Sequence, residues 1–336
     1  MKFGLFGGAT ARRGDETPDS QGYGGLIDLV QEADGLGYHS VFLVEHHFTG
    51  AGQVSATLNL LTYLAAKTER IRLGTAVTVL PWHDPVLLAE QAATLDLLSR
   101  GRLDFGIGKG YRDVEFASFR IPKEEALARY EESLALMVKA WTSDERFDHD
   151  GKYWRYSGIV VEPPVLQKPH PPLWTGAGTD ESIARVAESG LNVLFDQFAT
   201  FGRTAERLGV WRASCARAGR RFDPMQVALA RAVVITDGAR EYEAAVAARE
   251  RRTAGMVGAY GALPGQDPTQ PESYADAGRA SDALIGDPDD VLRRLRELRA
   301  MGFEYVLMLL PDDVQALRRF AREIMPELQG ESASAA

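Results

Sequence analysis

Cysteine is almost absent: Cys215 is the one instance in 336 residues. An intrachain disulfide and a cysteine-rich metal cluster are thereby excluded. Within Trp211-Arg212-Ala213-Ser214-Cys215 it reads as a small helix residue, not a nucleophile. Long apolar runs are missing as well. None reaches the ~18 residues a membrane helix needs, and Met1-Lys2-Phe3-Gly4-Leu5-Phe6 is too short an apolar run for a signal peptide. A cytoplasmic protein away from membranes is expected. A basic surplus is missing too, since 38 Lys and Arg stand against 47 Asp and Glu, a net charge of −9. With no basic face to neutralise phosphates, no nucleic-acid partner is expected.

What is present suits a large core, with 45% hydrophobic and 25% charged residues. Strand-like runs fall at 2–6, 40–44, 71–77, 103–108, 173–175, 192–195, 227–235 and 305–309. Amphipathic stretches follow them at 25–36, 56–67, 86–98, 127–141, 180–189, 204–217, 240–252 and 289–301. Strands and helices in this alternation predict an α/β fold, a (β/α)8 TIM barrel with insertions. A doubly wound sheet fits the alternation but does not require that many units. Asp84-Pro85 and Asp287-Pro288 place a capping carboxylate before proline at a helix start. Gly37, Gly190 and Gly302 read as C-caps leading into strands. Two segments break the rhythm: 142–172 reads as an ordered insertion, and 254–283 as a candidate mobile lid. With 330–336 as a flexible tail, residues 1–329 are expected to form a single domain.

Functional groups of a parallel barrel collect where strands end. After the second strand, Val41-Phe42-Leu43-Val44 gives way abruptly to Glu45-His46-His47-Phe48-Thr49-Gly50. Glu45, His46, His47 and His83 invite a metal reading, but neighbouring strand residues point to opposite faces and no His-x-His or His-Glu-x-x-His pattern is present. A structural role at the strand end competes with it. Gly106-Ile107-Gly108-Lys109-Gly110 lacks dinucleotide-fingerprint spacing; its glycines either admit a flat ligand or dispense with side-chain bulk. Lys109 is a phosphate counter-charge or an outward lysine. The turn Gly176-Ala177-Gly178-Thr179-Asp180-Glu181-Ser182 offers backbone, hydroxyls and a helix start to an anion. It also reads as an ordinary capped helix, and an anion requires Asp180 and Glu181 to point away.

Together these pieces resemble a known family, the bacterial luciferase-like flavin-dependent monooxygenases, with the N-terminal third similar to luciferase α subunits. The matching residues are Met1-Lys2-Phe3-Gly4, Glu45-His46-His47-Phe48-Thr49, Gly74-Thr75-Ala76 with Val79-Leu80-Pro81, Ser99-Arg100-Gly101-Arg102 and Phe105-Gly106-Ile107-Gly108-Lys109-Gly110. Ile285-Gly286-Asp287-Pro288 and Met325-Pro326 complete the set. The resemblance implies a barrel that takes reduced FMN from a separate flavin reductase and, with oxygen, oxidises a small organic substrate through a flavin hydroperoxide. An aldehyde, ketone, aromatic or natural-product intermediate fits that description.

By the same resemblance, His46 matches the catalytic histidine and Glu45 an orienting position. Lys109, Gly178, Thr179 and Ser182 match phosphate-binding positions. Ala76-Val77 falls at a non-prolyl cis peptide. Gly108 replaces a reactive cysteine, which is expected to leave room beside the flavin, while His47 is expected to face outward and support the loop. A homodimer packed through the helices after strands two and three is implied. A deazaflavin-dependent dehydrogenase or reductase on the same fold is the nearest alternative; a non-catalytic flavin-binding protein and a metal-dependent hydrolase are others.

Overall fold

The computed structural model describes residues 1–11, 21–50, 52–260, 283–311 and 313–329. The chain begins β1 (Lys2–Gly7), α1 (Gln21–Leu36), β2 (Ser40–Leu43), α2 (Thr57–Lys67), β3 (Arg72–Thr75), β4 (Thr78–Val79), α3 (Pro85–Leu98) and β5 (Leu103–Gly108). It continues with α4 (Asp113–Phe119), α5 (Ala126–Thr142), β6 (Phe147–Asp150), β7 (Arg155–Ile159), β8 (Leu173–Gly176), α6 (Asp180–Ser189), β9 (Asn192–Phe195) and α7 (Phe201–Arg217). The last elements are β10 (Val227–Arg231), β11 (Val233–Ile235), α8 (Ala239–Tyr260), β12 (Leu284–Gly286), α9 (Pro288–Met301), β13 (Tyr305–Leu309), α10 (Val314–Glu323) and α11 (Met325–Gln329). They divide into two compact units.

The early unit comprises Gly7–Asp34 and Ser40–Thr175. Its strands are parallel: β2 pairs with β3 (Phe42 opposite Gly74), β3 and β4 with β5, and β5 with β8 (Gly106 opposite Trp174). Both faces of these strands are covered, so Ser40–Leu43 is buried throughout, as expected for parallel strands under helices. The strand expected over 71–77 is shorter: β3 ends at Thr75, a cis peptide at Ala76–Val77 follows, and β4 begins beyond it at Thr78. Asp84 caps α3 as its sequence suggests, accepting from the backbone N–H groups of Val86 and Leu87 at 3.0 Å.

The insertion over 142–172 is ordered. It carries the antiparallel hairpin β6–β7, absent from the expected elements because its polar Phe147-Asp148-His149-Asp150 lacks an apolar period. Glu132 on α5 accepts from the backbone N–H groups of Lys152, Tyr153 and Trp154 at the hairpin turn. Buried Asp96 on α3 accepts from the N–H groups of Leu166 and Gln167, each at 2.8 Å, where the segment leaves.

The late unit comprises Met1–Phe6, Gly35–His39 and Gly176–Ala336. Here β1 and β10 each pair in parallel with β13, and β10 with β9. The expected strand 227–235 ends at Arg231, and its remainder, β11, pairs instead with β12 (Val234 opposite Ile285). Phe3, Tyr305, Phe195, Phe303, Phe320 and Trp211 are the bulk of its core, with Phe3 and Phe320 edge to face at 5.0 Å. Gly37, Gly190 and Gly302 adopt φ of 85°, 82° and 109°, the left-handed turn that ends a helix without a Cβ penalty. Of the lid expected over 254–283, residues 254–260 continue α8, while 261–282 lie outside the described residues, as does the 330–336 tail. Among the described residues, no helix is long and apolar enough to cross a membrane.

Candidate active site

Beyond Leu43 the chain leaves strand geometry, and His46 N–H is held by the Val54 carbonyl at 2.9 Å. Phe48 turns the backbone at φ 56° and stands 57% exposed. Freed from strict alternation, Glu45, His46 and His47 all find buried partners in the early unit. Glu45 is 4% exposed, and its Oε1 accepts from His47 Nε2 at 3.2 Å and His83 Nε2 at 2.8 Å. His47 therefore belongs to the network rather than facing outward. Its ring lies edge-on to Phe119 at 5.0 Å, and Phe119 stacks on Trp82 at 5.2 Å.

His46 has a second carboxylate. Its Nδ1 lies 3.2 Å from Glu115 Oε1, which also accepts the His47 backbone N–H at 2.9 Å. Its Nε2 lies 3.2 Å from Arg112 Nη2, and Arg112 Nε donates to the Tyr111 hydroxyl at 3.2 Å. A guanidinium has no lone pair to offer, so Nε2 accepts and the proton sits on Nδ1, donated to Glu115. Arg112 and Glu115, just after β5 and in the first turn of α4, are both buried. Burial pushes the His46 imidazole below its usual value; the Glu115 hydrogen bond opposes this and the Arg112 charge adds to it. Burial alone would raise Glu45, but the hydrogen bonds and charges of His47 and His83 outweigh it and hold the carboxyl below the ordinary range. The strand end thus carries a neutral, half-buried imidazole beside a carboxylate–bis-histidine cluster. Among the described residues, no group of three or more His, Cys, Asp or Glu is arranged to hold a metal ion.

Of the two readings of the glycines in and just after β5, the absence of side-chain bulk is the one their neighbours support. A Cβ on Gly106 would meet the Thr75 carbonyl oxygen at 1.8 Å, one on Gly108 Val77 Cγ2 at 2.5 Å, and one on Gly110 Val79 Cγ1 at 2.8 Å. The glycines accommodate residues 75, 77 and 79 of the neighbouring segment. The room expected at Gly108 is filled by Val77. Lys109 is exposed, with no ion pair among the described residues.

Gly178, Thr179 and Ser182 lie in the late unit, at the start of α6. They form a closed capping box: Thr179 Oγ1 accepts Ser182 N–H at 3.2 Å, and Ser182 Oγ takes the N–H groups of Thr179 and Gly178 at 3.1 and 3.3 Å. Asp180 and Glu181 are drawn to Arg203 and Arg185, at 2.6 and 2.8 Å. The acids are engaged elsewhere, as an anion site requires, yet the N–H groups of Gly178, Thr179 and Ser182 are already satisfied. Arg112 and Glu115 were not among the expected site residues. The signal was an arginine and a glutamate three residues apart, shortly after a glycine-rich strand end, where barrel chemistry concentrates.

Parallel strands with helices between them and an ionisable cluster past a strand end define a barrel enzyme class, and sequence comparison narrows it. The chain belongs to the luciferase-like monooxygenase family, whose pattern matches residues 1–305. It is a flavin-dependent oxidoreductase. It is 27% identical to the oxygenase component of a flavin-dependent trigonelline monooxygenase from Acinetobacter baylyi, covering 97% of this chain and 95% of that protein. An F420-dependent glucose-6-phosphate dehydrogenase from Nakamurella multipartita is 26% identical, covering 90% and 92%. Among solved structures, the monooxygenase RslO1 from Streptomyces bottropensis superposes with a TM-score of 0.84 at 25% identity, covering 97% and 99%. The oxygenating constituent of 3,6-diketocamphane monooxygenase from Pseudomonas putida, a type II Baeyer-Villiger enzyme in complex with FMN, does so at 0.80 and 22%, covering 98% and 99%. The fold class is the (β/α)8 barrel.

Proposed function

We propose that the chain is the oxygenase component of a two-component monooxygenase, using reduced FMN from a separate reductase and oxygen to oxidise a small organic substrate such as an aldehyde, ketone or aromatic compound. The observation that carries this reading is His46, half-buried and neutral, with Nε2 as its one basic nitrogen. An imidazole of that kind accepts and returns a proton at neutral pH. Relatives named as a monooxygenase component and as an FMN complex support the cofactor.

The early unit's own polar groups fit a heteroaromatic ring. Thr78 Oγ1 and Trp82 Nε1 are buried without a hydrogen-bond partner among the described residues, both at or just past β4. A ring bearing carbonyl and nitrogen acceptors, as a flavin does, satisfies such donors. Reduced flavin, when bound, supplies the electrons that activate oxygen. His46 is proposed as the acid/base, Glu45 as the anchor of His47 and His83, and the backbone of Ala76, Val77 and Gly108 as ring contacts. Lys109 is proposed as a phosphate counter-charge, as is the Gly178, Thr179 and Ser182 turn once its capping box opens.

The alternative is hydride transfer with reduced deazaflavin, favoured by the likeness to an F420-dependent dehydrogenase. Anaerobic titration with reduced FMN and with reduced deazaflavin, followed by oxygen and a panel of small carbonyl and aromatic compounds, separates the two. Tight binding of reduced FMN with oxygen-dependent product is expected; product formed only with deazaflavin and without oxygen overturns the proposal. A homodimer is part of the same proposal, supported by Leu87 and Leu98 of α3, which stand 57% and 59% exposed.

A further inference from the structure

His46 is gripped by two side chains of opposite charge, and neither is free to be replaced by the other's chemistry. Glu115 Oε1 holds two groups at once: the His46 ring at Nδ1 and the backbone N–H of His47. It thereby fixes both the orientation of the imidazole and the path of the chain that carries it. Phe116 and Phe119, on the same short helix, pack on Trp82 at 4.7 and 5.2 Å, so the carboxylate stands on a braced support. On the other side of the ring, Arg112 reaches Nε2 and also lies 5.6 Å from the Tyr111 ring centroid. The charged groups acting on His46 are Glu115 and Arg112 from the segment after β5 and Glu45 from its own.

We propose that Glu115 and Arg112 are positioning residues for His46. Glu115 binds the Nδ1 proton and so leaves Nε2 as the basic nitrogen, while Arg112 covers Nε2 until a substrate or cofactor group takes its place. This assignment rests on His46 being the acid/base. Its logic is that a base must be oriented before it is strong. A carboxylate that only oriented the ring would make it too basic; a guanidinium alone would leave it without a fixed direction. The pair supplies direction and restraint together.

The two partners push the imidazole in opposite directions, so its titration, read together with turnover, gives the proposal a signature that a purely structural role lacks. Glu115→Gln and Arg112→Met are made in the full chain, and the His46 ring is titrated by NMR in the protein without flavin, with His46→Gln used to assign its signal. The midpoint is expected to move to lower pH in Glu115→Gln and to higher pH in Arg112→Met, with Glu115→Asp returning toward the parent. Turnover in Glu115→Gln is expected to fall by about 10²-fold, the scale of a misplaced catalytic group. Should Glu115→Gln unfold, Arg112→Met and Glu115→Asp still carry the test. Midpoints that stay put in the folded variants, or that move the same way in both, overturn the proposal. The NMR titration needs no substrate, so opposite shifts without flavin-dependent turnover in any variant would uphold the grip of Glu115 and Arg112 on the His46 ring and sink the function proposed above.

Discussion

The strand end at Glu45–His47 and the helix start at Thr179–Ser182 both gather hydroxyls, acids and backbone donors, yet they use them differently. At the helix start the groups satisfy one another in the open, with Ser182 Oγ and Thr179 Oγ1 closing a reciprocal box. At the strand end the carboxylates are buried and the imidazoles half-buried, and their partners come from residues 83, 112 and 115, far along the chain. A closed local box stabilises a helix by about 1 kcal/mol and has little left to give a ligand. A buried network assembled from distant segments shifts proton affinities, which is what acid–base chemistry needs.

The sharpest way to break that contrast is His46→Ala. If the strand end is the chemical centre, turnover with reduced FMN and oxygen falls by about 10²- to 10⁴-fold, the usual worth of a general acid–base group. Steady-state product formation measures it, and parental turnover would leave the strand end no more than a structural cluster. Next in size is Gly108→Ala, whose methyl group would sit 2.5 Å from Val77 Cγ2. A loss of about 1–3 kcal/mol is expected from overpacking, largely recovered in Gly108→Ala with Val77→Ala. Urea unfolding of the single and double variants reads the coupling.

The pH dependence of stability sharpens the comparison further. The native pKa of His46 is lowered, so on acidification the unfolded chain takes up this proton first. Its contribution is present above the ordinary value of 6.5 and is lost as pH falls from there toward the lowered native value. Glu45, also lowered, contributes above 4.5 and loses that contribution on further acidification. Urea midpoints between pH 7 and pH 4 should fall in the parent, and the first part of the fall should be missing in His46→Gln. The smallest effect belongs to Thr179→Ala: about 1 kcal/mol of stability from the broken cap. An accompanying rise in the Kd for reduced FMN marks a phosphate role, and an unchanged Kd marks a cap alone.

Much of the architecture is readable from the residues themselves. Helix starts at Asp84 and Asp287, helix ends at Gly190 and Gly302, and strands at 103–108, 192–195 and 305–309 follow from local chemistry that burial does not override. The break in the strand expected at 227–235 was hidden, because the partner of its second half, β12, lies some 50 residues away. His46 could be selected by resemblance, but its partners could not. Glu115 and Arg112 look like surface charges in Tyr111-Arg112-Asp113-Val114-Glu115-Phe116, and only the fold turns them inward. His47 was misjudged for the same reason: alternation holds in a strand, and the chain has left the strand by then. Gly108 teaches the converse, since an absent side chain says nothing about who fills the space.

Asp96 and Glu132 together have a consequence for re-engineering the chain. Each uses one carboxylate to tie down several backbone N–H groups of the insertion, one near its turn and one near its exit, and backbone donors are indifferent to side-chain identity. Lys152 and Leu166, both exposed at these knots, can therefore be exchanged for other residues while the flanking helices keep hold of the backbone at both ends.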